Sequence, residues 1–310
     1  MKLSGQPAPL SETFVWQPKI DGMVRDVPMD VVMHRDAFQG SKDQLHVYLG
    51  MGAERRVTRR GVQKLGALGF EAVGIVLPFH HLPATAANIE RTIVEAPVAI
   101  ARHYAERAGR SGRRTDLLGH SQGAIAVLMS AASSPESFGA VAAWSPGGLN
   151  GDELGDSPEE KRRHLYERLL IKNNLKLSQN PLLDPWNMVT GIEAGIRAIA
   201  DFRDNDPVLG RRINAKVDYA MTIDLTEPGP GRLSITQLAD QDGIDLRVFG
   251  ADDDPVFTFG GIEHNLAEIG GSRLLEKVPG SHASPAGRAS DQQLRPIADW
   301  LHGVRDARQS

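Results

Sequence analysis

Gly119-His120-Ser121-Gln122-Gly123, set between the short run 115–118 and the small-residue, helix-favouring stretch 123–132, decides how this chain is read. A bare Gly-x-Ser-x-Gly is weak, since about one chain in five of this composition holds it by chance. Placed between a strand and a helix it says more. A nucleophilic serine at such a junction needs a strained turn that lifts its hydroxyl above the sheet. It also needs small residues on both sides, so that strand and helix can approach closely. Gly119, Gly123 and Ala124 are those residues.

A serine hydroxyl becomes a nucleophile only with a base beside it and a group that orients the base. Both residue types follow in the chain. The run Leu246-Arg247-Val248-Phe249 reads as a buried strand that passes through Gly250 into Asp252-Asp253-Asp254-Pro255-Val256. Residues 273–278 read as another strand and lead to Pro279-Gly280-Ser281-His282. The order is therefore serine, acid, histidine.

With these pieces in place the chain resembles the α/β-hydrolase family, of the serine esterase or lipase-like kind with a helical cap. The resemblance runs through most of the sequence. Leu45-His46-Val47-Tyr48-Leu49-Gly50-Met51-Gly52 is similar to the strand and loop where that family builds part of its oxyanion hole. The family's frequent His-Gly pair is Leu49-Gly50 here, a change that leaves the backbone donors in place. Residues 61–69 read as a helix and 71–77 as a buried strand. Leu77-Pro78-Phe79-His80-His81 is similar to the family's loop over the site, and 294–301 to the helix after its histidine.

The resemblance implies an α/β fold with a mostly parallel central sheet flanked by helices. It implies Ser121 as nucleophile, His282 as base, and backbone N–H groups of Gln122 and Met51 as oxyanion donors. For the acid, Gly250-x-x-Asp253-x-x-Val256 matches the family's spacing and favours Asp253. Asp254 is the rival, held extended by Pro255. The reaction implied is hydrolysis of a carboxylic ester through an acyl-enzyme. Thioester or carbon–carbon bond cleavage are variants on the same triad, and a non-hydrolytic ligand-binding or biosynthetic role is the alternative. Haloalkane and epoxide chemistry is disfavoured, because those relatives use an aspartate nucleophile where this chain has Ser121. The reaction calls for no cofactor.

The chain divides into a first core part at 1–149, an inserted cap at 150–240 and a second core part at 241–310. The first part opens with strand-like stretches at 13–16 and 27–34, then alternates strands and helices, which argues for a parallel sheet. In the cap segment charge and helix signals increase. Ser157-Pro158-Glu159-Glu160 is a capping box with proline at the first helical position and predicts a helix through 172; a second is expected at 190–202. Pro228-Gly229-Pro230-Gly231 marks a turn back to the core. Pro97 should kink or restart the helix that covers 89–104.

Composition fits this reading. Of 310 residues, 41% are apolar but only 5% aromatic, so the core rests on Val, Ile, Leu and Ala, as doubly covered parallel strands require. A net charge of −4 offers no concentrated basic face for nucleic acid. With no cysteine, disulfides and thiolate metal sites are excluded. His80 and His81 lack a metal-ligand spacing and are assigned to the site entrance or to local packing, and no metal is assigned. His264 precedes the last strand and does not suit the serine–acid–histidine order. The arginines 55, 56, 59, 60, 110, 113 and 114 are read as solvated faces. The first residues lack a secretory apolar core and no run reaches a membrane span, so a cytoplasmic protein acting on a small acyl substrate is expected.

Overall fold

The computed structural model describes residues 9–34, 44–49, 55–79, 81–83, 85–109, 113–149, 223–282 and 290–310, with single positions between 157 and 219. Its strands are β1 (Leu10–Trp16), β2 (Lys19–Ile20), β3 (Met23–Val24), β4 (Val27–Met33), β5 (Leu45–Leu49), β6 (Ala72–Ile75), β7 (Thr115–His120), β8 (Phe138–Trp144), β9 (Asp245–Ala251) and β10 (Leu275–Val278). Its main helices are α1 (Arg55–Ala67), α2 (Ala86–Arg107), α3 (Gln122–Ser133), α4 (Ile235–Ala239), α5 (Phe259–Glu268) and α6 (Asp291–Gln309). Eight strands form one sheet in the order β1-β4-β6-β5-β7-β8-β9-β10, and β2 and β3 make a separate small ribbon. From β6 through β10 every neighbouring pair is parallel, while β4 runs antiparallel to both β1 and β6.

Every residue of β5, β6, β7 and β8 is buried, which is the pattern of strands covered on both faces. One apolar cluster joins side chains of α2 and α3 to one face; the other joins α1 and α6 to the opposite face. α3 is buried along nearly its whole length, as its run of Ala, Ile, Val, Leu and Met demands. The edge strand β1 is only partly covered and leaves Leu10 and Val15 exposed.

The elements expected from sequence are present with shifted bounds. α1 starts at Arg55, six residues before the expected helix, because Arg55, Arg56, Arg59 and Arg60 form its solvent side while Thr58 and Val62 face inward. α2 is one continuous helix with Pro97 inside it, so no new helix begins there. Tertiary burial of Ile93, Ala96, Ile100 and Ala101 outweighs the missing hydrogen bond. Of the helix expected at 158–172, positions 160, 161, 164, 165, 167 and 168 are described and all are helical, while the helix expected at 190–202 lies outside the described residues. Ser157 and Glu160 nevertheless close the predicted capping box, with Glu160 N–H donating to Ser157 Oγ at 3.2 Å and Ser157 N–H to the Glu160 carboxylate at 3.3 Å. Gly229 and Arg232 exchange two backbone hydrogen bonds across Pro230-Gly231, as the turn signal requires. Among the described residues no helix is long and apolar enough to cross a membrane.

Candidate active site

β7 ends at His120 and α3 begins at Gln122, so a single residue, Ser121, makes the turn between them. Ser121 adopts φ 57° and ψ −122°, a region that a non-glycine residue occupies at a cost of about 1–3 kcal/mol. Its N–H donates to the carbonyl of Trp144 on β8 at 2.9 Å, and its own carbonyl accepts from Ala124 N–H at 2.9 Å. The two glycines are required by close approach. A Cβ on Gly119 would lie 2.3 Å from the Gly123 carbonyl oxygen, and one on Gly123 would lie 2.1 Å from the Tyr48 carbonyl oxygen. The motif thus packs β7, α3 and β5 backbone to backbone, and the strain at Ser121 is held by that packing.

Two further strand ends arrive beside it. β9 passes into the acidic loop and β10 into Pro279-Gly280-Ser281-His282. These loops are laced together: Asp252 N–H donates to Val278 O at 2.9 Å, Asp253 N–H to Gly280 O at 2.9 Å, and Gly280 N–H to Asp252 Oδ1 at 2.7 Å. Gly280 has φ +102°, a conformation that favours glycine. From α6, Gln293 Nε2 donates to Ser281 O at 2.8 Å.

The result is a line of three buried side chains. Asp254 Oδ2 lies 2.8 Å from His282 Nδ1, and His282 Nε2 lies 3.1 Å from Ser121 Oγ. An ionised carboxylate only accepts, so the imidazole proton sits on Nδ1 and leaves Nε2 to accept from the serine hydroxyl. The other carboxylate oxygen, Oδ1, accepts from the N–H groups of Val256 at 2.8 Å and Phe257 at 3.0 Å. Those two bonds lock the aspartate's rotamer. Chemically this is a hydroxyl facing a base whose tautomer and orientation are set by a fixed anion.

Solved structures share this fold. A carboxylesterase structure from Nitrososphaera gargenis has a TM-score of 0.59 at 17% identity, covering 96% of this chain and 100% of that one. A thioesterase domain from a curacin biosynthetic pathway has a TM-score of 0.56 at 12% identity, covering 94% and 99%. The chain has the α/β-hydrolase fold of these structures. A third similar structure is 2-hydroxy-6-oxo-6-phenylhexa-2,4-dienoate hydrolase from Rhodococcus sp. strain RHA1, with a TM-score of 0.55 at 16% identity over 95% and 99%. Residues 94–212, which contain the serine turn, match the family described as "Putative esterase". No curated protein matches the sequence.

One expected residue is displaced. Asp253, favoured by spacing, does not face the histidine: it is exposed, and its main chain is turned onto the Gly280 carbonyl. Asp254, the rival, carries the carboxylate that meets His282. The signal was present in Asp254-Pro255-Val256, because an aspartate before such a turn can accept from backbone N–H groups two and three residues on. Gln122 opens α3, where backbone N–H groups have no intrahelical partner. Met51 and His80 lie outside the described residues. His81 is exposed, and His264 sits on the outer side of α5 in an i,i+4 pair with Glu268 at 3.3 Å, away from the triad elements. The lacing of the two loops and the ring of His120 against His282 were not anticipated from sequence.

Proposed function

We propose that this α/β-hydrolase is a serine hydrolase that cleaves carboxylic esters of small acyl substrates through an acyl-enzyme, with Ser121 as nucleophile, His282 as base and Asp254 as its orienting partner. The observation that carries the reading is the hydrogen-bonded line Asp254–His282–Ser121, with the serine on a strained turn. Ser121 Oγ attacks the carbonyl carbon while its proton passes to His282 Nε2. The imidazolium that forms is stabilised by Asp254, and it returns the proton to the leaving alkoxide. Water then enters by the same route in reverse and releases the acid.

The oxyanion of each tetrahedral intermediate needs backbone donors, and the N–H of Gln122, at the start of α3, is well placed by sequence and helix polarity to supply one. Met51 is the proposed second donor, each being worth about 3 kcal/mol in comparable sites. The segment 150–240 is proposed as the cap that selects the acyl group.

The test is intact mass after treatment with a small fluorophosphonate, followed by turnover of ester and thioester panels of graded chain length. One adduct on the wild type and none on Ser121→Ala is expected, with esters turned over faster than the matching thioesters. A folded wild type that takes no adduct would remove the reading.

A further inference from the structure

We propose that His120 is a positioning residue for the base: its ring, carried by the same strand end as the nucleophile, is the wall that holds the His282 imidazole against Ser121. The proposal rests on the triad reading above. The geometric need is simple. The bonds at Nδ1 and Nε2 sit at opposite edges of the His282 ring and together define a line. Two bonds in the ring plane leave small out-of-plane swings through the side-chain torsions, and contacts with the ring faces limit those.

Two rings make such contacts. The His120 ring lies 4.9 Å from that of His282, inclined at 37°, and the Phe257 ring lies 5.6 Å away, edge-on at 71°. Phe257 sits on the loop that holds the acid, and its N–H bonds Asp254. His120 is adjacent to Ser121 in sequence, so the glycine packing that sets the serine also sets this ring. Behind it stands Trp144, with ring centroids 4.6 Å apart. Trp144 also accepts the Ser121 N–H through its carbonyl. One residue of β8 thus braces both the nucleophile's backbone and the ring that faces the base.

The contact uses the shape of His120 and not its proton. Among the described residues its Nε2 has no hydrogen-bond partner. Burial pushes its pKa well below the ordinary histidine value, and the neighbouring His282 pushes in the same direction. Among the described residues, the polar groups bonded to the pair are Asp254 and Ser121, both on His282, and the rings against it, Trp144 and Phe257, carry no charge. A neutral ring is what the reaction needs here, because a cation in this position would repel the imidazolium formed when His282 accepts the serine proton. A misplacement of about 1 Å in a catalytic group can cost about 100-fold in rate.

The test is the rate of fluorophosphonate labelling of Ser121 as a function of pH in the wild type, His120→Ala and His120→Phe, with urea unfolding of each. Labelling of His120→Ala should fall at least about tenfold, while His120→Phe, an aromatic ring that never ionises, should recover to within about threefold with the acid limb unmoved. Wild-type speed in His120→Ala would overturn the proposal. So would a folded His120→Phe that labels tenfold slower or with a shifted acid limb, since that would place the imidazole's own proton in use. If His120→Ala does not fold, His120→Phe against the wild type decides by the same criteria. A wild type that never labels would instead sink the triad reading, and this proposal with it.

Discussion

Two buried aspartates stand at opposite ends of the same sheet, and their surroundings separate chemistry from architecture. Asp116, near the start of β7, has a side chain with no exposure and accepts from Ala140 N–H at 2.8 Å, Arg305 Nε at 2.7 Å and Arg308 Nη1 at 2.9 Å. Asp254, beyond the end of β9, is equally enclosed and accepts from two backbone N–H groups and one imidazole. Both satisfy their oxygens. Asp116 is matched by permanent cations, and Arg308 continues to Asp245 at 2.7 Å, so that end ties α6 to β7 and β9. Asp254 is matched by a group that can gain and lose a proton, so its charge remains available for a reaction. A buried charge with permanent partners holds a fold; one with a titratable partner beside a strained serine can do work on a substrate.

This contrast can be broken most directly at the serine. Ser121→Ala should lower ester turnover by about 10⁶-fold while leaving urea unfolding nearly unchanged, measured on the best ester of the panel. Asp254→Asn should lower kcat by about 10⁴-fold, through loss of the tautomer that points Nε2 at the serine. Asp253→Asn should stay within about threefold, and equal losses in the two variants would erase the distinction between them.

At the other end, Asp116→Asn should cost about 3–5 kcal/mol in urea unfolding, because Arg305 and Arg308 lose the anion that offsets their burial. Its kcat at temperatures where it remains folded should match the wild type. A large fall in kcat without a fall in stability would break the comparison.

A third buried ionisable group sharpens it. His46 on β5 has no exposure, and neither of its ring nitrogens has a hydrogen-bond partner among the described residues. Burial alone lowers its pKa from 6.5 to about 3. The folded chain therefore takes up this proton only near pH 3, whereas the unfolded chain takes it up near 6.5. Between those values the unfolded state binds more protons, so stability should fall as pH drops, by up to about 1.4 kcal/mol per unit. His46→Leu should flatten that part of the stability–pH curve. The smallest effect belongs to His264→Ala, which removes an exposed i,i+4 pair and should change stability by less than about 0.5 kcal/mol.

Much of this was legible in the chain. The spacing of Gly119 and Gly123 around Ser121 marks a close-packed turn, and the apolar run of β6 marks a strand covered on both sides. These are local signals, set by the size and hydropathy of neighbouring residues. The early start of α1 was obscured because four arginines fill its solvent side and hide the period of Thr58, Val62 and Leu65. The choice of acid was obscured for a different reason. In Asp252-Asp253-Asp254 the residue type is constant and only orientation differs, and orientation depends on hydrogen bonds to a loop some 28 residues away.

The sequence by itself determined the serine's turn and the strand–helix alternation, because each depends on residues close together in the chain, and it displayed the order of serine, acid and histidine directly. Only the tertiary structure decided that Asp254 meets His282, that His282 meets Ser121 across 161 residues, and that His120 lies against His282. Those facts depend on how the ends of β7, β8, β9 and β10 are brought side by side. That arrangement is a property of the packed sheet, with no counterpart in any one segment of the chain.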